Sequence, residues 1–344
     1  MSEALALPTP KLERWKYSNL PAYVANEYNE QPLSVGYDGD DKWVSDADVA
    51  VTSWAQDVYG DMQLWNDMQD VFALHIPKDE TVEKPIHLSL DVDENVKSIG
   101  HINIHLEEGA SLTIYEHVNV AGWCNRLMTI RVEAGANLTH IRTGEGAGVV
   151  TNITQIHIDA DAKYNAYSLS NYGAFVRDQI HATLNGENGE CYLSGSKILN
   201  DEQHTDTCIL IEHIAPKCYS NQNYRNILDG RSRGVFQGKV HVHQSGQQTD
   251  GYQFCNSVLL SERCEMDTKP ELEIYADDVK CSHGAVTAQP DAEPLFYLMA
   301  RGIPKEQAHA MLLQAFVAES LESVEDNEAV HEFIEDKITR SLDA

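Results

Sequence analysis

Leu106–Ile114 reads LEEGASLTI, and Val132–His140 reads VEAGANLTH. Gly109 matches Gly135, Ala110 matches Ala136 and Leu112 matches Leu138, each pair 26 residues apart. Another 26 residues on, IDADAKYNA (158–166) sets Asp161 at the glycine position and Tyr164 at the leucine position. LNGENGECYL (184–193) then offers Gly189 after a step of 28. Alternating segments fill the intervals, among them Ile102/Ile104/Leu106, Ile130/Val132 and Ile153/Ile156/Ile158. Alternation marks strands with one buried face. A turn rich in Gly, Asn or Asp at a fixed interval marks one supersecondary unit per repeat. Units of this length made only of strands and turns predict a solenoid, with each coil stacked on the next. Thr, Val, Ile and Tyr dominate the stretch and disfavour helical repeats. An antiparallel sandwich would alternate in the same way, but 26 residues is long for hairpin spacing.

The flanks extend this pattern and then break it. HTDTCILIEHIA (204–215), RGVFQGKVHVHQ (233–244) and SVLLSERCEM (257–266) still alternate, less regularly. Residues 1–75 are rich in Trp, Asp and Asn (Trp15, Trp43, Trp54, Trp65) and predict short helical stretches. Past residue 288 the pattern turns helical. Leu295, Phe296, Leu298 and Met299 form one apolar face, with Gly302 placed as a C-terminal stop. Pro304 suits the first turn of a second helix. On it Ala308, Met311, Leu312, Ala315, Phe316, Ala318 and Leu321 recur at three- and four-residue intervals. Asn327–Leu342 reads as a third helix. These helices would either cap the solenoid's last coil or form a docking surface. The chain therefore divides into an N-terminal helical or irregular region (1–75), a β-helix core (76–288) and a C-terminal helical region (289–344).

Charge and cysteine usage exclude several classes. The 344 residues include 54 acidic and 25 basic ones, a net charge of −29. Such a field repels phosphate backbones and anionic bilayers, so no nucleic acid and no membrane partner is expected. No stretch approaches the ~18 apolar residues that span a bilayer. The N-terminus lacks a basic region followed by an apolar core, so it reads as no secretory signal. The seven cysteines are scattered without a CxxC, which argues against a disulfide framework or a closed zinc site. The chain reads as cytoplasmic with reduced thiols.

Chemistry-bearing residues cluster late in the chain. Cys281-Ser282-His283 ends an alternating run, and a thiol and an imidazole two residues apart on a strand share one face. That pair suits a soft or borderline metal. The plainer reading of a strand-end thiol is packing. His241 and His243 also share a face and are another possible metal pair, but they read most simply as outward solenoid residues. Cys255 and Cys264 read as core thiols. Gly230–Lys239 lacks the GxxxxGK[ST] spacing of a phosphate loop, so the chain is expected to bind no nucleotide. A carbohydrate-active β-helix enzyme would need separated carboxylates, whereas Asp277 and Asp278 are adjacent and diverge if extended. A purely structural adaptor is a third reading.

Several long strings resemble the SufD branch of the SufB/SufD family of SUF iron–sulfur cluster assembly. They are ERWKYSNL (13–20), IPKDETVEKPIHL (76–88), SGSKILNDEQHTDT (194–207), SNQNYRNILDGRSRGVFQGKVHV (220–242), TDGYQFCNSVLLSERCEMDTKPELEIYADDVKCSHGA (249–285) and LFYLMARGIPKEQA (295–308). Where the family often reads HGATxG, this chain has His283-Gly284-Ala285-Val286-Thr287-Ala288. The resemblance implies a mainly β fold, a right-handed parallel β-helix core flanked by N-terminal and C-terminal helical regions. It implies a non-catalytic scaffold that pairs with SufB through the β-helix, or with a second copy of itself in isolation. It also implies docking of SufC, an ABC-type ATPase, through the C-terminal helices, with Leu295, Phe296, Arg301, Gly302, Pro304, Met311 and Phe316 as candidate contacts. Finally, it implies a transient iron or iron–sulfur cluster shared with SufB, for which His283 and Cys281 are the candidate ligands.

Overall fold

The computed structural model describes residues 7–24, 27–45, 71–324 and 328–343. In chain order its strands are β1 (Asn29–Pro32), β2 (Val35–Asp38), β3 (Val44–Ser45), β4 (Val71–Ile76), β5 (Ile86–Val92), β6 (Val96–Leu106), β7 (Ser111–Val120), β8 (Trp123–Val132), β9 (Asn137–Glu145), β10 (Val149–Ile158), β11 (Lys163–Ser170), β12 (Phe175–Leu184), β13 (Glu190–Leu199), β14 (His204–His213), β15 (Tyr219–Leu228), β16 (Arg233–Val242), β17 (Thr249–Leu259), β18 (Glu265–Ile274) and β19 (Val279–Ala288). Even-numbered strands from β4 to β18 stack side by side in one sheet, and odd-numbered strands from β5 to β19 in the other. From β4 on, each strand pairs in parallel with the strand two further along the chain, giving a β-solenoid of about seven turns. Among the described residues only two small strands join antiparallel, β2 to β5 and β3 to β4, at the N-terminal end.

The 26-residue step is the coil itself. Leu112 pairs with Leu138, and Leu138 with Tyr164, so residues matched in sequence lie in one column of the sheet. The turns form a second column. Asp79, Gly109, Gly135, Asp161, Asn188, Lys217 and Gln248 all have positive φ. Each donates its backbone N–H to the turn of the next coil, as Gly109 does to Ala134 and Gly135 to Ala160, both at 2.9 Å. Gly and Asp or Asn tolerate this left-handed conformation, which is why the turn is legible as a repeat. In the fourth repeat the position belongs to Asn188 (φ 60), one residue before the expected Gly189. An asparagine adopts the left-handed backbone there, so the glycine is not the marker.

Leu, Ile and Val from both sheets close the interior, from Leu74 and Ile76 through Ile130 and Ile156 to Ile211. The outer faces are covered too. Trp15, Leu20 and Val24 pack on Trp123, Leu127, Ile153 and Phe175 of the first sheet. Trp15 lies over the guanidinium of Arg177, 4.5 Å from its ring centroid, and Ser18 donates to Asp206 at 2.5 Å. That placement explains the local order of 13–20, which holds the 3-10 turns Glu13–Trp15 and Leu20–Ala22. Residues before 76, expected to be helical or irregular, also contribute β1 to β4 to the sheets. Trp43 is buried, while Trp54 and Trp65 lie outside the described residues.

Three helices follow: α1 (Ala292–Ala300), α2 (Lys305–Ala318) and α3 (Glu328–Asp343). Gly302 (φ 89) ends α1 in a Schellman motif, with its N–H on Met299 O and the Ile303 N–H on Leu298 O. Pro304 stands just before α2 as its N-cap, and Ala308 donates to its carbonyl. The helices do not cap the last coil. Val317, Leu321, Val330, Ile334 and Ile338 pack on the outer face of the second sheet, against Tyr115, Ile141, Tyr167, Ile198 and Ile227. Those sheet residues point outward and are apolar, so a flank position removes more apolar surface from water than an end position would. Arg225 pairs with Glu319 at 2.6 Å and Asn223 donates to the Glu319 carbonyl at 2.9 Å, fixing the register of the packing.

Candidate functional site

The solenoid's C-terminal end is left open. β18 ends one sheet and β19 the other, and no residue of β19 is fully buried. An edge strand presents unpaired backbone N–H and C=O groups, which invite a further strand. Phe254, Tyr275 and Val286 are exposed around this end, Tyr275 and Val286 by more than half.

Cys281 and His283 lie on β19, opposite Gly251 and Gln253 of β17. Their spacing puts both side chains on the face that lines the last coil. Cys281 packs beside the core cluster of Val240, Val242 and Ala276, and burial pushes its thiol above the usual range, against a lowering contact from the Gly251 backbone. His283 is exposed. The thiol is therefore protonated at rest, and a metal would have to displace that proton. Among the described residues no third His, Cys, Asp or Glu joins this pair as a convergent ligand group. The other six cysteines are buried, Cys255 and Cys264 included.

The C-terminal candidates separate into two kinds. Phe296 is 73% exposed, and Arg301, Gly302, Pro304 and Met311 are exposed as well. Leu295 is half-buried. Phe316 instead faces the sheet, 5.5 Å from the Arg225 guanidinium, and packs against the flank cluster. Tyr297 and Met299 extend the exposed apolar surface of α1.

One convergence was half legible in sequence, as the pair His241 and His243 without its carboxylate. His241 on β16 and His243 just past its end both turn toward Glu212 of β14. Glu212 lies 29 residues before His241, its neighbour in register, and the repeat visible in sequence had a step of 26. Only the longer step of the later coils reveals the partner.

The stacked parallel strands place the chain among the β-solenoid proteins. The family model described as "SUF system FeS cluster assembly, SufBD core domain" matches residues 90–316, and the chain belongs to that family. Among its relatives, the iron–sulfur cluster assembly protein SufD of Escherichia coli (strain K12) is 33% identical over 269 residues, covering 75% of this chain and 64% of that protein. The chloroplastic protein ABCI7 of Arabidopsis thaliana is 28% identical over 331 residues, covering 91% of this chain and 65% of its own length. An iron–sulfur cluster assembly SufBD family protein of Synechocystis is 31% identical over 275 residues, 75% of this chain and 60% of the relative. The matches thus span less than two thirds of each of these relatives. Among the described residues no helix is long and apolar enough to cross a membrane.

Proposed function

We propose that this chain is a SufD-type scaffold subunit of iron–sulfur cluster assembly, without catalytic chemistry of its own. It pairs through the open end of its solenoid with a SufB-type partner, and its exposed α1 surface docks a SufC-type ATPase. Iron or a nascent cluster is the cargo. His283 and Cys281 contribute ligands to it, and the partner supplies the rest, since two side chains cannot complete a four-thiolate-type cluster site. The observation that carries the reading is the placement of Cys281 and His283 on β19, the terminal strand of its sheet, paired on one side with β17 and with its other edge open. Strand addition at that edge would bring a partner's side chains beside both residues. The same edge also suits a second copy of this chain when no SufB-type partner is present.

The test is anaerobic co-expression with the SufB-type and SufC-type proteins of the same host, followed by affinity purification and iron analysis. Wild-type chain is expected to recover both partners and iron. His283→Ala is expected to retain both partners and lose most of the iron. Recovery of the chain alone, or unchanged iron in His283→Ala, would overturn the reading.

A further inference from the structure

On the outer face of the first sheet, Glu212 Oε1 lies 3.0 Å from His243 Nε2 and 3.5 Å from His241 Nδ1. One ligand atom from each of the three residues lies within 4.8 Å of the other two. Around a tetrahedral ion with bonds of about 2.1 Å, neighbouring ligand atoms stand roughly 3.4 Å apart. The two observed spacings bracket that value. The imidazole rings are stacked, with centroids 4.2 Å apart and planes 21° from parallel. At 3.5 Å, His241 Nδ1 is beyond a well-formed hydrogen bond to the carboxylate.

Neighbouring side chains hold the carboxylate in place. An ion seated here would replace the 3.0 Å hydrogen bond between Glu212 Oε1 and His243 Nε2 with a bond to each. Glu212 Oε2 accepts from His181 Nε2 at 2.7 Å, which fixes the carboxylate and leaves Oε1 to face the two histidines. Carboxylates that ligate metals are commonly held by such an outer hydrogen bond. Lys239, the nearest cation on β16, is paired with Glu273, and Tyr275 packs edge-on against His241 at 5.6 Å. Glu212 is 18% exposed and His243 37%, so solvent can reach the cluster and complete an ion's coordination.

We propose that Glu212, His241 and His243 form a binding site for one divalent transition-metal ion of the zinc, cobalt or ferrous class. Two imidazoles and a carboxylate suit these borderline ions and leave a position for water. The ion would cross-link β14 and β16, adjacent coils of the solenoid. This site is on the opposite sheet from Cys281 and His283 and stands independently of their role.

The test is titration of the full chain with Zn²⁺ by calorimetry and with Co²⁺ by visible absorption. A Cys281→Ser/His283→Ala background removes the other candidate ligands. One equivalent is expected to bind with micromolar or tighter affinity. Glu212→Gln, which is nearly isosteric, and His243→Ala, at a half-exposed position, are each expected to weaken binding at least tenfold. His181→Ala is expected to weaken it about 10- to 100-fold through the outer shell. Circular dichroism checks that each variant stays folded, and His243→Ala serves if Glu212→Gln does not. Millimolar binding by the unaltered cluster, or affinity unchanged in folded His243→Ala, would overturn the proposal.

Discussion

Arg126 of β8 and Glu116 of β7 face each other inside the solenoid, Nη2 to Oε1 at 2.5 Å, with both side chains sealed from solvent. Burial alone would raise the Glu116 carboxyl. Arg126, His140 and Arg142 outweigh burial and hold it well below the usual carboxylate range. The network continues: Arg126 donates to Asn152 at 2.7 Å, Asn152 to Asp178 at 2.7 Å, and Arg142 to Asp178 at 2.5 Å. Charges on three consecutive coils are thus paired within the core. Removing one member of a buried pair leaves the other uncompensated and costs about 3–5 kcal/mol. Arg126→Met is therefore expected to lose that much stability in urea unfolding, despite being apolar and of similar length. A change below about 1 kcal/mol would show that His140 and Arg142 suffice for Glu116.

Three buried histidines set the acid stability. Burial holds His101 and His204 at about 4 and His213 at about 3, against about 6.5 in the unfolded chain. Their folded pKa values are depressed, so below pH 6.5 the unfolded chain binds more protons than the native one. The stability they contribute is fully present above about pH 6.5. It falls as the pH drops toward 4, and toward 3 for His213, by at most about 1.4 kcal/mol per pH unit per histidine. The urea midpoint is expected to drop clearly between pH 7 and pH 5, a window above the carboxylate range. His204→Gln should flatten part of that slope, because His204 lies under the N-terminal segment against Ser18 and Tyr23. An equal midpoint at pH 7 and pH 5 would contradict the assignment.

The two candidate phenylalanines should separate by stability. Phe296 is largely solvated, so Phe296→Asp is expected to leave the thermal midpoint within the equivalent of about 0.5 kcal/mol. Phe316 packs on Arg225 and the flank, so Phe316→Asp is expected to cost about 2 kcal/mol and loosen α2 from the sheet. Differential scanning calorimetry of the two variants reads this directly. Equal losses in both would mean that α1 is also packed in solution.

The sequence by itself determined the repeating unit, because a coil of constant length places identical turn and core residues at a constant step. Gly109, Gly135 and Asp161 share a backbone conformation that few residue types adopt, so chemistry and spacing agreed there. The Gly302 stop was legible for the same reason. Cys281 and His283 were legible as a pair because two residues on one strand share a face at any twist. What the tertiary structure decided were the relations between coils. Val132 follows Leu106 in register by 26 residues, but Ile274 follows Val242 by 32, so no fixed step carries Glu212 to His241. The helices' place on the flank rather than the end was likewise decided by outward-facing Tyr167, Ile198 and Ile227. Those residues look in sequence like any other alternating position. Burial on both faces of a strand depends on what lies across it, and only the folded chain brings that neighbour into contact.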